Sequence, residues 1–292
     1  MTYLIFSICA VCAALSSAFL KLYRRRIDDA EVKDNLYYIF MIGVALTFFG
    51  ITSKFDLRVN WLTLLFAAIY AVIVYISATL NMNAIEHAEL VTVSIFSNSG
   101  TILWSALWGT VFFNEALTLN RILGLVAILA AIALPAFTEK RKGKSNLKGL
   151  ICCFGVFFVN GISQLVLKIY SLNEKVNDEN VFLFYANVIL IPFILLIIAK
   201  RSSVKKVFKN ISAVDKKSLL FVTLGMVFSA IVSVAGIFLI KTVDLVVYTV
   251  AEKALATIAT AIVSAIFFKE KFTFMKIISF LLLICAIVLM GI

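Results

Sequence analysis

Long runs of apolar residues follow one another along this chain, separated by short polar connectors. The runs cover residues 2–22, 36–53, 60–81, 89–113, 118–137, 148–170, 181–199, 218–240, 244–268 and 272–291. Each is close to the ~20 residues a helix needs to cross the hydrocarbon core of a bilayer. A barrel strand would alternate apolar and polar residues over about ten positions. These runs do not alternate and are about twice that long. At such a length only a helix satisfies every backbone polar group without water. The pattern predicts an all-α membrane protein with ten transmembrane helices. The longest connectors, 23–35, 138–147 and 200–217, are too short to hold an independent core.

The pattern also repeats. Phe112-Phe113-Asn114-Glu115-Ala116-Leu117-Thr118 returns 155 residues later as Phe267-Phe268-Lys269-Glu270-Lys271-Phe272-Thr273. Ile85 and Ile240, Leu90 and Leu245, Ala106 and Ala261, and Ile122 and Ile277 keep the same spacing. At a spacing of 147, Ser16, Leu20, Lys21 and Tyr23 match Ser163, Leu167, Lys168 and Tyr170. The first span therefore has its copy in the sixth and belongs to the fold; it is not a cleaved leader. Together the spacings predict two five-helix units, 1–137 and 148–292, joined by a basic linker at 138–147. Five is odd, so the second unit enters from the opposite face. The two are then inverted repeats about an axis in the membrane plane, an arrangement that commonly places a site between the halves.

Charge adds orientation. The net charge of +11 comes mostly from Lys and Arg flanking the spans, and no residues remain for a nucleic-acid module. Connectors 1–2, 3–4, 5–6, 7–8 and 9–10 with their flanks hold 20 of the 27 basic residues, and the others hold 6. The positive-inside rule makes the first set cytoplasmic and turns both termini outward, in a cell membrane. In the 200–217 connector, Val204, Val207, Phe208 and Ile211 recur at helical spacing among Lys205, Lys206 and Lys209. That fits either a basic helix lying on anionic headgroups or an irregular basic loop. Cys9, Cys12, Cys152, Cys153 and Cys285 fall in apolar spans and read as packing residues rather than metal ligands. No metal, cofactor, P-loop or catalytic triad is expected.

The repeated turn resembles the drug/metabolite transporter superfamily, in particular proteins built from two EamA-like halves. The residues that carry the resemblance are Phe113–Glu115–Thr118 and Phe268–Glu270–Thr273, with Ala84-Ile85-Glu86-His87 and Leu239-Ile240-Lys241-Thr242 closing the third and eighth spans. Where that family often has a proline before the Glu, this chain has Ile102 and Thr257. The resemblance implies a non-enzymatic secondary transporter of small organic solutes, and many members keep their termini in the cytoplasm. The substrate stays open.

Polar residues inside spans are the candidates for a pathway. Among 27 basic and 16 acidic residues, only Glu252 and Lys253 lie well inside a span. A charge there is costly and normally faces a cavity or a partner. Adjacent on a helix, the two side chains leave about 100° apart. Either one lines a cavity as a proton or substrate group, or each is neutralised by a neighbouring helix. Their repeat partners are Ser97 and Asn98, expected across the same cavity or in interhelical hydrogen bonds. Asn160, Ser163, Gln164 and Lys168 form one stripe on the sixth span. Lys168 and its counterpart Lys21 sit near helix ends, where snorkelling to the headgroups is the simpler reading. His87, the single histidine, reads as a solvated loop residue. Thr101, Ser105 and Gly109 recur as Ala256, Thr260 and Ser264, a small-residue stripe suited to close helix packing within the chain or in a homodimer.

The reading is a ten-helix inverted-repeat secondary transporter of a small polar metabolite, working by alternating access and coupled to a proton or to counter-substrate. The rival is a membrane protein that does not transport, such as a lipid scramblase or a helical scaffold.

Overall fold

The computed structural model describes residues 2–113, 118–140, 144–171, 173, 178–201, 214–242, 245–269 and 274–291. These form ten helices and, among the described residues, no strand. They are α1 (Thr2–Arg26), α2 (Ala30–Thr52), α3 (Trp61–His87), α4 (Leu90–Phe113), α5 (Leu119–Lys140), α6 (Lys144–Ser171), α7 (Glu179–Arg201), α8 (Lys216–Thr242), α9 (Leu245–Phe268) and α10 (Phe274–Gly291). Seven carry a described stretch long and apolar enough to cross a membrane. In α5, α9 and α10 the described apolar stretches are shorter: Leu119–Ala131, Leu255–Phe268 and Ile277–Ala286. The basic amphipathic pattern of 204–211 and the turn residues Glu115, Glu270 and Thr273 lie outside the described residues.

Polar residues in the connectors start the helices. The Asp29 carboxylate accepts from the Glu31 and Val32 amides to cap α2, and Asn60 accepts from Thr63 N to cap α3. Asp215 accepts from the Ser218 amide and hydroxyl at the start of α8. Thr118 closes the repeated turn by accepting from Arg121 N at 3.3 Å, which makes it the cap of α5.

The packing is reciprocal. α1 packs on α8 and α9, and α6 packs on α3 and α4. Likewise α2 packs on α7, α4 on α9, and α5 on α10. Two glycines set the closest approach. A Cβ on Gly100 would lie 2.4 Å from the Phe157 carbonyl oxygen, so α4 and α6 meet backbone to backbone only because that carbon is missing. A Cβ on Gly161 would lie 2.2 Å from Trp104 Cγ.

The two ends of the bundle close differently. At one end Arg24 donates from Nε to Glu86 at 2.9 Å and also pairs with Asp34, while Lys33 pairs with Glu86. Arg26 reaches Asp215 at 3.0 Å, and Arg25 and Lys21 lie 5.0 and 5.2 Å from the Phe268 ring centroid. Lys21 is 2% exposed and donates to the Ala88 carbonyl at 2.9 Å. It does not snorkel, because a carbonyl at the α3–α4 corner and an aromatic face receive its charge inside the protein. His87 is likewise not a solvated loop residue. It is the last residue of α3, half-buried, with Nδ1 2.9 Å from the Asn83 carbonyl. At the other end, Tyr170 stacks on Phe182 at 4.2 Å and shares a hydroxyl contact with Thr63 at 3.2 Å. Thr52 donates to Asn180, and Tyr185 donates to the Leu57 carbonyl.

Candidate functional site

Glu252 is the eighth residue of α9, about 12 Å from its start at 1.5 Å per residue. Its side chain is 4% exposed. Lys253 Nζ lies 2.7 Å from Glu252 Oε2, so the two charges pair with each other rather than with neighbouring helices. The Cα–Cβ bonds diverge as any adjacent pair on a helix must, but the flexible four-carbon lysine stem reaches back. The contact is an ion pair without hydrogen-bond angles: Glu252 Oε2 is buried and has no hydrogen-bond partner. The pair is a close charge contact in a place where charge is expensive.

The Lys253 side chain is 22% exposed. It shares a helix face with Thr257, Thr260 and Ser264, all buried. Across that face stands α4. Asn98 Nδ2 donates to Thr257 Oγ1 at 2.7 Å, to Ser94 Oγ at 3.1 Å, and at the 3.5 Å limit to the Lys253 carbonyl. Thr257 donates in turn to the same carbonyl at 2.7 Å. On the α1 side Cys9, 1% exposed, lies within electrostatic reach of both charges, in a small cluster with Phe6, Ala235 and Leu255.

A second set lies on the other side of α4. Asn160 of α6 donates to Ser97 at 2.8 Å and accepts from Ser77 of α3 at 3.3 Å. Ser163 donates to the Tyr70 hydroxyl at 3.3 Å. Gln164 and Lys168 continue this stripe half-buried toward the end where Tyr170 stacks on Phe182. Ser97 and Asn98, adjacent on α4, therefore link the stripe to the surroundings of the ion pair. Ser77, Ser94, Thr257 and Tyr70 were not singled out from sequence. Thr257 had a usable signal, since it stands four residues after Lys253 on the same face.

In the small-residue stripes, Thr101, Gly109, Ala256, Thr260 and Ser264 are buried and Ser105 is half-buried. Thr101 and Thr260 donate to carbonyls of their own helices, Ser97 O and Ala256 O, which leaves only small apolar surface facing outward.

The model of the EamA-like transporter family matches residues 1–136. That match takes in α1 to α4 and most of α5, just under half of the chain. That family lies within the drug/metabolite transporter superfamily, and its members are transporters rather than enzymes. A crystal structure of a protein with 13% sequence identity superposes on this EamA-like chain with a TM-score of 0.61, covering 97% of this chain and 95% of that one. The fold is thus shared along nearly the whole chain. No curated protein sequence matches it. Family and helices together make the EamA-like chain an integral, multi-pass membrane protein.

Proposed function

We propose that this EamA-like protein is a secondary transporter that carries a small polar metabolite across a cell membrane by alternating access, coupled to a proton or to counter-substrate. All ten helices span the bilayer, arranged as two inverted five-helix repeats, 1–137 and 148–292, around the 138–147 linker. The reciprocal packing supports this: α1 on α8 and α9 is answered by α6 on α3 and α4. Glu252 carries the proton, Lys253 meets an anionic group, and Ser97, Asn98, Asn160, Ser163, Gln164 and Lys168 line the path.

The observation that carries the reading is the ion pair within α9, with a buried carboxylate and an ammonium that stays partly accessible. A scaffold would gain nothing from charges there, since a well-packed apolar pair is as stable or more so. The test begins with a thermal-shift screen of purified protein against small metabolites, because a ligand of the native state raises its stability by mass action. Uptake of each hit into proteoliposomes follows, with and without a pH gradient. Gradient-driven accumulation is expected in the wild type and its loss in Glu252→Gln. Hits that never accumulate in any gradient, in vesicles whose labelled lipids equilibrate between leaflets, would identify a scramblase instead.

A further inference from the structure

The geometry of the pair also says how a proton and a substrate would be linked. Lys253 is the only cation within contact of Glu252 among the described residues, and it holds the carboxylate without a hydrogen bond. The other groups around the pair are weak competitors. On α9 itself stands Thr257; α4 brings Asn98 and Ser94; α1 brings the thiols Cys9 and Cys12; α8 enters the same cluster with Ala235. Among these only the thiols titrate, and none is a cation. Among the described residues the ammonium is therefore the one counter-charge in contact with Glu252.

The two members differ in access. Lys253 is 22% exposed and Glu252 4%. A solute that reaches the pair meets the ammonium first, because the carboxylate is the more deeply buried of the two. We propose that a monoanionic substrate displaces Glu252 from Lys253, and that Glu252 takes up one proton as this happens. The reasoning is electrostatic. A carboxylate stripped of its counter-ion in a low-dielectric site neutralises rather than stays charged. The proton comes from water on the open side and binds a Glu252 carboxyl oxygen; the anion takes the carboxylate's place on Nζ.

The charge balance has a consequence. The empty site holds one carboxylate and one ammonium; the loaded site holds one neutral acid, one ammonium and one anion. Both are neutral, so neither form moves net charge when the site changes sides. Each monoanion travels with one proton, and the cycle is driven by a pH gradient but not by membrane potential. A zwitterion could satisfy both charges without a proton, but it would have to reach the sealed carboxylate. A lone cation would compete with Lys253 from behind.

This inference rests on the transporter reading only for its use, so it is tested first by binding. Purified protein in detergent is mixed with acetate, lactate or methanesulfonate, with glycine as a zwitterion and choline as a cation. Proton uptake is read with a pH dye in weakly buffered solution, and the carboxylic-acid C=O band by infrared difference spectroscopy. The expected result is that at least one monoanion binds, takes up one proton per anion and raises the acid band. Glu252→Gln should bind that anion several-fold tighter, because the internal competitor is gone, with neither proton uptake nor band. Lys253→Met should lose binding and Lys253→Arg keep it. If the Gln variant does not fold, the proton count and the band of the wild type decide alone. Anion binding without proton uptake, binding confined to glycine or choline, or no binding by any monoanion would each overturn the proposal. Proteoliposomes then separate the two claims. An anion that binds with its proton but does not cross keeps this proposal and removes the transporter reading. An anion that crosses unaided by a pH gradient and responds to a potassium diffusion potential does the reverse.

Discussion

Gly100 and Gly43 are both helical glycines, and they predict opposite outcomes. A Cβ on Gly100 would strike Phe157 backbone, which cannot swing aside as a side chain can. Gly100→Ala should force α4 off α6, break the Asn160–Ser97 bond, and cost about 1–3 kcal/mol as overpacked sites do. A Cβ on Gly43 meets nothing within 4 Å. Gly43→Ala should be neutral or stabilise by up to about 1 kcal/mol, because alanine loses less backbone freedom in a helix. Thermal melts in detergent compare the two, and a Gly100→Ala protein as stable as Gly43→Ala would mean that α4 and α6 are not in backbone contact. At this scale the sequence showed which residues are chemically unusual, such as Glu252 and Lys253, but not what they touch. Hydropathy marks a charge as costly without naming its partner. That partner followed from the length and flexibility of the Lys253 stem, which a helical-wheel angle ignores.

The helices overrun their apolar runs. α1 continues to Arg26 and α3 to His87, past the residues where hydropathy ends at 22 and 81. The reason is that Arg24, Lys33, Glu86 and Asp34 pair among themselves and Lys21 donates to the Ala88 carbonyl, so polar residues there are internal to the fold. A composition window counts them as connector. The repeated turn was legible because its Thr is a helix cap, a role that needs a short side-chain oxygen at one position. Caps at this end also predict an acid response. The Asp215 carboxyl is held below the usual carboxylate range, first by the Ser218 hydroxyl and also by Arg26. A depressed native value means that the stabilisation is present above the ordinary Asp value of about 4 and fades only as pH falls through the lower one. Ser218→Ala should therefore cost more stability at pH 7 than near pH 3, where the wild type has itself begun to lose this contribution. Denaturation midpoints at the two values check this, and an equal loss at both would show that Ser218 does not hold the carboxylate.

For the whole molecule, the order of ten helices could be read from the chain because each apolar run is one bilayer thick. Their pairing could not, since apolar runs match one another equally well. The described contacts do gather connectors 1–2, 3–4, 7–8 and 9–10 at one end, through Arg24–Glu86, Arg26–Asp215 and Arg25 over Phe268. Those connectors belong to the basic-rich set. The charge bias predicts that this end faces the cytoplasm. Single cysteines placed in 138–147 and 200–217 of a version lacking the five native cysteines should resist an impermeant thiol reagent in intact cells. Ready labelling would reverse the orientation and place the termini inside.

The unlike closures of the two ends carry a physiological corollary. Parting Arg24 from Glu86 and Asp34 sets free charges that dissolved ions can screen, so salt favours opening on that side. Parting Tyr170 from Phe182 exposes mainly rings, which salt does not shield. With the basic end inward, the ionic latch meets cytosol of steady composition, and the aromatic latch meets whatever medium surrounds the cell. Changes in external salinity would then leave the outer door untouched, and the balance between inward and outward access would be insulated from the environment without a separate sensor.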